Sequence, residues 1–350
     1  MRATIRQVAE RAGVSAMTVS RVLRGQGPSA SPATVERVLQ AARELNYIAV
    51  RPILQNQNAR TQVIGVVFDG IVSLKSLVGA NTFEGLRDAA LQRGYDLLIH
   101  APRPDVLQRQ EAAFLDRRTD GVIFVSPRQR RSLLRVLVGH GFPVVSCYSN
   151  DVPRGVATIT PDNALAMSQI VAHLVARGHR KIGFFSGPHW HSDARERRAA
   201  WTEAMCGHGL AACADWIEDS EGDSEHHCRA ARRLLDRKPT AVVCHNDYRA
   251  LTLWDAARER GLKVPRDLSI SGMDDIPEAK ARGLTTFATP FEQAGRACVD
   301  AVDSLVEGRL AAEVSQRLAV GFVERTSIGD VADAKHKVPK SKIKDKKRRP

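Results

Sequence analysis

The chain has 350 residues, of which 43% are hydrophobic, and a formal net charge of +13. That length exceeds one ordinary core, so two or three domains are expected, and no run approaches the ~20 apolar residues that cross a bilayer. The six cysteines (Cys147, Cys206, Cys213, Cys228, Cys244 and Cys298) lack the spacing of a disulfide framework or a structural zinc site; with a polar N-terminus they fit reduced thiols in a cytoplasmic protein.

The positive charge is unevenly placed. Residues 1–62 hold nine Arg against three Glu, and residues 331–350 hold nine Lys or Arg against two Asp, which leaves 63–330 close to neutral. Cationic ends on a neutral body suit a ligand-binding module with nucleic-acid-seeking extremities, and argue against a general polyanion binder.

The first elements are three short helices. Thr4 is a good N-cap, and Gln7 three residues later completes a capping box. Ile5, Val8, Ala9 and Ala12 then repeat at helical spacing, and Gly13 stops the helix, because glycine enters the left-handed conformation without a side-chain clash. Val14 plugs the corner, and Ser15 caps a second helix from Ala16 to about Leu23. On that helix Val19, Val22 and Leu23 face inward, which leaves Ala16, Met17, Ser20 and Arg21 outside. A third helix opens on Ser31 and Pro32 and turns Val35, Val38, Leu39, Ala42 and Leu45 inward. Two helices around a tight glycine turn, closed by a third, have the shape that sets the second helix in a major groove.

A linker, AVRPILQNQNARTQ, leads from 49 to 62. Beyond it the pattern becomes strand, helix, strand. VIGVVF is a buried strand; a helix over 80–93 leads to YDLLIH, one over 108–116 to GVIFV, one over 132–140 to FPVVSC, and one over 162–176 to KIGFFSG. Helices over 195–208 and 230–235, the strand TAVVCHND, a helix over 248–260 and the strand LSISGMDD follow. Near-continuous apolar strands alternating with helices imply parallel sheets covered on both faces. So many units exceed one sheet, so two α/β lobes are expected over 63–330. Residues 331–350 are almost devoid of apolar side chains and read as a basic disordered tail, either solubilising or a weak contact to DNA phosphates.

Ligands of such sheets sit outside the carboxyl ends of the strands. Asn246 and Asp274 each stand just after an apolar strand, so both are expected at a cleft. Trp190, between His189 and His191 after KIGFFSG, is placed to stack on a sugar face. Asp69, after the first strand, is expected to reach the same cleft, as are Lys75 and Asn81. The histidines and Cys228 match no metal-site spacing, no GxSxG elbow appears, and no GxGxxG follows the first strand, so neither metal, cofactor nor catalysis is expected.

Here the motifs become specific. VAERAGVSAMTVSRVL, the third helix and ELNYI resemble the head of the LacI/GalR family of bacterial transcription regulators. RGHRKIGFFSGP, ARERRAAW, HND, GMDD and LTTFATP, in that order, resemble its body. The resemblance implies a head over 1–49, a hinge over 50–62 and a two-lobed periplasmic-binding-protein-like domain over 63–330 that binds effector and dimerises. It implies that Ala16, Met17 and Arg21 read bases, with the Arg21 guanidinium suited to guanine. Thr4, Ser15, Thr18 and Ser20 are expected on phosphates or backbone. In the hinge the family's usual proline is Ala49 here, Asn56 holds the position of the minor-groove wedge, and Leu54 is the nearest apolar substitute. Arg197, Asn246 and Asp274 correspond to effector-contacting positions, Asp193 lies one turn before Arg197, and Thr289 stands where the family often has glutamine. The family's aromatic pocket motif after the first strand is replaced by DGIVSLKSLVGANTFEG. The implied partners are double-stranded operator DNA, a small effector of the sugar, sugar-acid or purine class, and a second copy of the chain. The implied function is ligand-controlled repression. A solute-binding protein for transport would have no basic head, and an enzyme on two such lobes would need an acid/base pair or phosphate loop that does not appear.

Overall fold

A computed structural model describes residues 3–23, 30–45, 47, 60–69, 72–100, 111, 114–116, 118–128, 130–212, 214–309 and 314–331. The linker positions Leu54 and Asn56, the basic tail beyond 331 and most of the helix expected over 108–116 lie outside these residues. The chain divides into two compact units, residues 1–59 and 60–350.

In the first unit, helices α1 (Ile5–Ala12), α2 (Ala16–Leu23) and α3 (Pro32–Glu44) enclose a small core. The capping box at Thr4 and Gln7 is formed, and Gly13 closes α1 at φ 64°. The Thr18 amide donates to Ser15 Oγ at 3.1 Å, which starts α2. Val8, Val19 and Val38 are fully buried at the centre. Leu39 departs from the expected inward set and is 40% exposed. Val38, Ala41, Ala42 and Leu45 define the buried stripe of α3 at i, i+3, i+4 and i+7, and Leu39 falls about 100° off it.

The second unit begins just before β1, where the Thr61 and Gln62 amides donate to the Asp120 carboxylate at 2.6 and 2.8 Å. Its first sheet contains β1 (Val63–Phe68), β2 (Asp96–Ile99), β3 (Gly121–Val125), β4 (Val144–Cys147), β5 (Ala157–Pro161) and β11 (Ser315–Leu318), in the order β11-β5-β4-β3-β1-β2, all parallel. The second sheet contains β6 (Ile182–Ser186), β7 (Ile217–Asp219), β8 (Ala241–Cys244) and β9 (Ser269–Ser271), parallel in the order β7-β6-β8-β9. Strands β10 (Thr286–Ala288) and β12 (Gly321–Val323) form a small antiparallel pair. Helices α4 (Leu77–Arg93), α5 (Arg131–Gly139), α6 (Asn163–Ala176), α7 (Ser192–Gly207), α8 (Ser224–Asp236), α9 (Asp247–Glu259), α10 (Pro277–Arg282) and α11 (Phe291–Val306) cover the sheets.

Each sheet with its helices is a lobe. The first packs Ile64, Leu86, Val145 and Val299 together, the second Met167, Phe184, Trp201 and Phe287. Among the described residues the chain passes between the lobes three times: from β5 into α6, from β10 into α11, and from β11 into β12. The first two crossings bring Asn163 and Thr289 next to the strand ends described below.

Several elements differ from the sequence reading. Helix α4 starts three residues early because Ser76 caps it, accepting from the Gly79 amide at 3.1 Å. Helix α8 starts at Ser224, capped by Asp223; its first turn is polar, so apolar periodicity shows only from Ala230. Strands β7 and β11 carry polar residues at sheet edges, and α11, which follows Pro290 directly, is an additional helix beyond those read from periodicity. Helices α4 and α11 cross at backbone contact, since a Cβ on Gly85 would lie 1.9 Å from the Glu292 carbonyl oxygen.

Candidate functional site

On the outer face of α2, Ala16, Met17 and Arg21 are exposed, with Met17 64% exposed. Thr18 and Ser20 are half-buried. Two of the hydroxyls expected on phosphates or backbone cap helices: Thr4 holds α1, and Ser15 Oγ accepts from the Thr18 amide at 3.1 Å.

In the second unit the carboxyl ends of both sheets meet. Strand order reverses between β1 and β3 in one sheet and between β6 and β8 in the other, and crevices form at such reversals. The loops after these strands touch across the lobes. Ser126 Oγ, after β3, lies 3.0 Å from His191 Nε2, after β6. The Arg128 guanidinium stacks 4.4 Å from the Trp190 ring centroid. Ser192 Oγ donates to Ser149 Oγ at 3.1 Å and accepts from the Asn150 amide at 3.3 Å. Within the second lobe Gly187 lets the loops after β6 and β8 lie close, because a Cβ there would lie 2.6 Å from His245 Cδ2.

Arg197 is the centre of the site. It is 4% exposed, although it lies in an Arg-rich stretch with Arg195 and Arg198 that would suit a surface ion pair. Its Nε donates to Asn163 Oδ1 at 2.7 Å and its Nη1 to the His245 carbonyl. Asn163 turns its amide to Asp193 Oδ1 at 3.2 Å and to Glu196 Oε2 at 2.8 Å. Glu196 in turn pairs with Arg317 at 2.8 Å, on the third crossing. Asp274 accepts from Thr289 Oγ1 at 3.2 Å, on the second crossing. Each crossing is therefore tied by a side chain to the Arg197, Asp193 and Asp274 group.

The electrostatics follow from burial. Desolvation pushes the Asp193 carboxyl up to about 6 and the Asp274 carboxyl up to about 7, with Arg197 opposing the shift in both. Desolvation, and then the positive field of Arg197, lowers His191 to about 3 and His245 well below its ordinary value. Both imidazoles are thus neutral, and each has a buried Nδ1 without a hydrogen-bond partner. Among the described residues neither Asp193 nor Asp274 makes an ion pair; each accepts one side-chain hydrogen bond. Ser126, Tyr148 and Asp274, each just beyond a strand, sit at φ 55°, 60° and 119°. Such backbone costs of order 1–3 kcal/mol each and concentrates at binding sites.

Other expected residues are engaged differently. Asn246 caps α9, its Oδ1 accepting from the Arg249 amide at 3.1 Å, which leaves the Nδ2 face available. Asp69 pairs with Arg130 at 2.7 Å, tying the loop after β1 to that after β3. One face of Trp190 is taken by Arg128. Lys75 is exposed and Asn81 half-buried. Asp247 accepts from Thr286 Oγ1 at 2.6 Å and the Ile276 amide at 3.0 Å within one lobe. Asn163, Ser126 and His245 were not singled out from the sequence. Asn163 had one legible signal, a polar residue directly after the Asp162 cap where a first-turn side chain points back at the strand ends. Among the described residues no three His, Cys, Asp or Glu side chains gather as metal ligands would.

Residues 4–49 match the family model of bacterial regulatory proteins, lacI family, and residues 171–328 match that of a periplasmic binding protein-like domain. A transcriptional repressor named PurR from Klebsiella pneumoniae subsp. pneumoniae is 30% identical over 340 residues, covering 94% of this chain and 97% of the relative. The PurR of Vibrio cholerae serotype O1 is 27% identical over 351 residues, covering 94% and 99%. Among solved structures, the lac repressor dimer bound to operator and the anti-inducer ONPF superposes with a TM-score of 0.80 at 28% identity, over 94% of this chain and all of that one. The transcriptional regulator CelR in complex with cellobiose gives 0.70 at 27%, over 93% of this chain and all of that one. A head built around an exposed α2, two parallel-sheet lobes meeting at Arg197, and a 30% identical relative aligned along nearly its whole length place this chain in the LacI family of bacterial regulatory proteins.

Proposed function

We propose that the chain is a ligand-responsive, sequence-specific transcriptional repressor that binds pseudo-palindromic operator DNA as a homodimer in the bacterial cytoplasm and catalyses no reaction. The observation that carries this is the presence on one chain of an exposed helix-turn-helix face and a buried Arg–Asp group ringed by all three lobe crossings. Helix α2 enters the major groove with Ala16, Met17 and Arg21 toward the bases; Thr4, Ser15, Thr18 and Ser20 set the backbone that faces phosphate. Among the described residues no helix is long and apolar enough to cross a membrane, in keeping with this role.

The effector sits among Arg197, Asp193, Asp274, Asn246 and Thr289, with Trp190 and Asp69 at the rim. Two carboxyls that make no ion pair among the described residues, beside one buried guanidinium and two neutral histidines, favour a ligand rich in hydrogen-bond donors, such as a sugar or a purine. The cellobiose in the CelR complex fits that class. An effector acts by binding one lobe arrangement better than another, and the side-chain ties from the site to Asn163, Thr289 and Arg317 are where that preference reaches the crossings.

A thermal-shift screen of the full chain against sugars, sugar acids and purines, followed by gel shifts of operator fragments with and without each hit, tests the reading. Arg197→Ala is expected to weaken the hit about a hundredfold or more while unliganded operator binding persists. Unchanged ligand affinity in that variant would remove Arg197 from the site. Turnover of a hit by the purified protein would favour an enzyme instead.

A further inference from the structure

The reading face of α2 is chemically uneven. Met17, 64% exposed at its first turn, ends in a thioether and methyl, and its neighbour Ala16 adds only a methyl. Neither side chain donates a hydrogen bond, and the thioether accepts only weakly. One turn further, Arg21 is exposed and makes no hydrogen bond or ion pair among the described residues, so its five donors are available. Holding a large apolar side chain in water on a 64% exposed surface brings no packing gain to the head itself, whose core is already closed by Val8, Val19 and Val38.

In the major groove, thymine alone of the four bases presents an apolar group, its 5-methyl; guanine O6 with N7 presents the paired acceptors that a guanidinium fork matches. Against any other base Met17 would cover donors or acceptors without replacing their water, which penalises the wrong sequence as well as rewarding the right one. We infer that the operator half-site read by this chain places a thymine 5-methyl group against Met17, beside the guanine already expected against Arg21. Four residues of helix span about 6 Å and a base pair rises about 3.4 Å, so the two bases lie within about two base pairs of each other. The inference rests on the proposed entry of α2 into the major groove.

The experiment uses the full chain. Its preferred duplex is selected from a random library, and affinities are then measured by fluorescence anisotropy at one fixed salt concentration. Replacing the contacted thymine by uracil removes only the methyl and is expected to weaken binding about fourfold, the effect of one buried methyl. At the same position 5-methylcytosine should bind about fourfold tighter than cytosine, which separates the methyl from the other edge groups. Met17→Ala should bring the thymine/uracil ratio to about one and leave the guanine preference intact. Arg21→Ala should lose a preference for guanine over adenine of about tenfold or more and leave the thymine/uracil ratio intact. Both side chains are exposed, so equal melting curves verify that the variants fold. A selected site lacking thymine or guanine at this spacing, or a thymine/uracil ratio untouched by Met17→Ala, overturns the inference while the DNA-binding reading stands. Failure to select any sequence overturns both.

Discussion

At pH 8 Asp274→Asn is expected to melt roughly 5–10 °C above the unmodified chain, and at pH 4 to melt with it. Burial raises the Asp274 carboxyl from its ordinary 3.8 to about 7, because the ionised form loses water that one hydroxyl and the field of Arg197 only partly replace. Below pH ~4 the carboxyl is protonated in both the folded and unfolded chain and favours neither. As pH rises from about 4 to about 7 the folded protein holds a proton that the unfolded chain has released, so stability falls through that window, and above it the loss is complete. Asparagine keeps an oxygen for the Thr289 hydroxyl and carries no charge, which recovers roughly 2–4 kcal/mol at pH 8. A difference in melting temperature that did not grow between pH 4 and pH 8 would contradict the assigned ionisation. The same linkage bears on function. An effector that donates hydrogen bonds to Asp274 favours the carboxylate, so binding should release protons and strengthen as pH rises through this range, and Asp274→Asn should bind it weakly despite its greater stability.

Gly85→Ala is expected to lower the melting temperature of the second unit by about 10 °C, with Gly295→Ala similar. A Cβ added to Gly85 would lie 1.9 Å from the Glu292 carbonyl oxygen, and one added to Gly295 would lie 2.2 Å from the Thr82 carbonyl oxygen. Both obstacles are backbone in helices, so no rotamer change relieves them; α4 and α11 must separate. Separation opens the core where Leu86, Phe291, Val299 and Val302 pack, at a cost of about 3 kcal/mol or more, beyond ordinary overpacking. The damage should extend past stability, since Thr82 on α4 holds the Tyr148 hydroxyl at 2.8 Å beside the strained end of β4. Gly139→Ala, with nothing within 4 Å of its Cβ, is the matched control and should melt unchanged. Equal melting of Gly85→Ala and the control would mean that the helices do not approach as described.

Most of the architecture was legible because it rests on local, repetitive chemistry. Capping residues and apolar spacing announce α1 to α3, Leu39 apart, and runs such as VIGVVF or GVIFV are too apolar to be anything but buried strands. What escaped lacked such a signature. Strand β11, SQRL, is mostly exposed, and α8 conceals its first turn behind a polar cap. At the candidate site the motifs single out Asp193, Arg197 and Asp274 but not which side chains they bond to: Asn163 is 34 positions from Arg197, and Thr289 is 15 from Asp274.

The sequence by itself determined the presence of a cationic helix-turn-helix head, a neutral α/β body and the strand-end positions of the polar residues, since periodicity, caps and charge are properties of neighbouring residues. Only the tertiary structure decided which of those residues act together. Two chain crossings draw Asn163 and Thr289 onto one buried guanidinium and two carboxyls, and the third brings Arg317 to them through Glu196; the loops of the two lobes meet where the strand order reverses. Desolvation, which sets the charge of Asp274 and of His245, depends on what surrounds a group from every side, and no stretch of sequence contains that information.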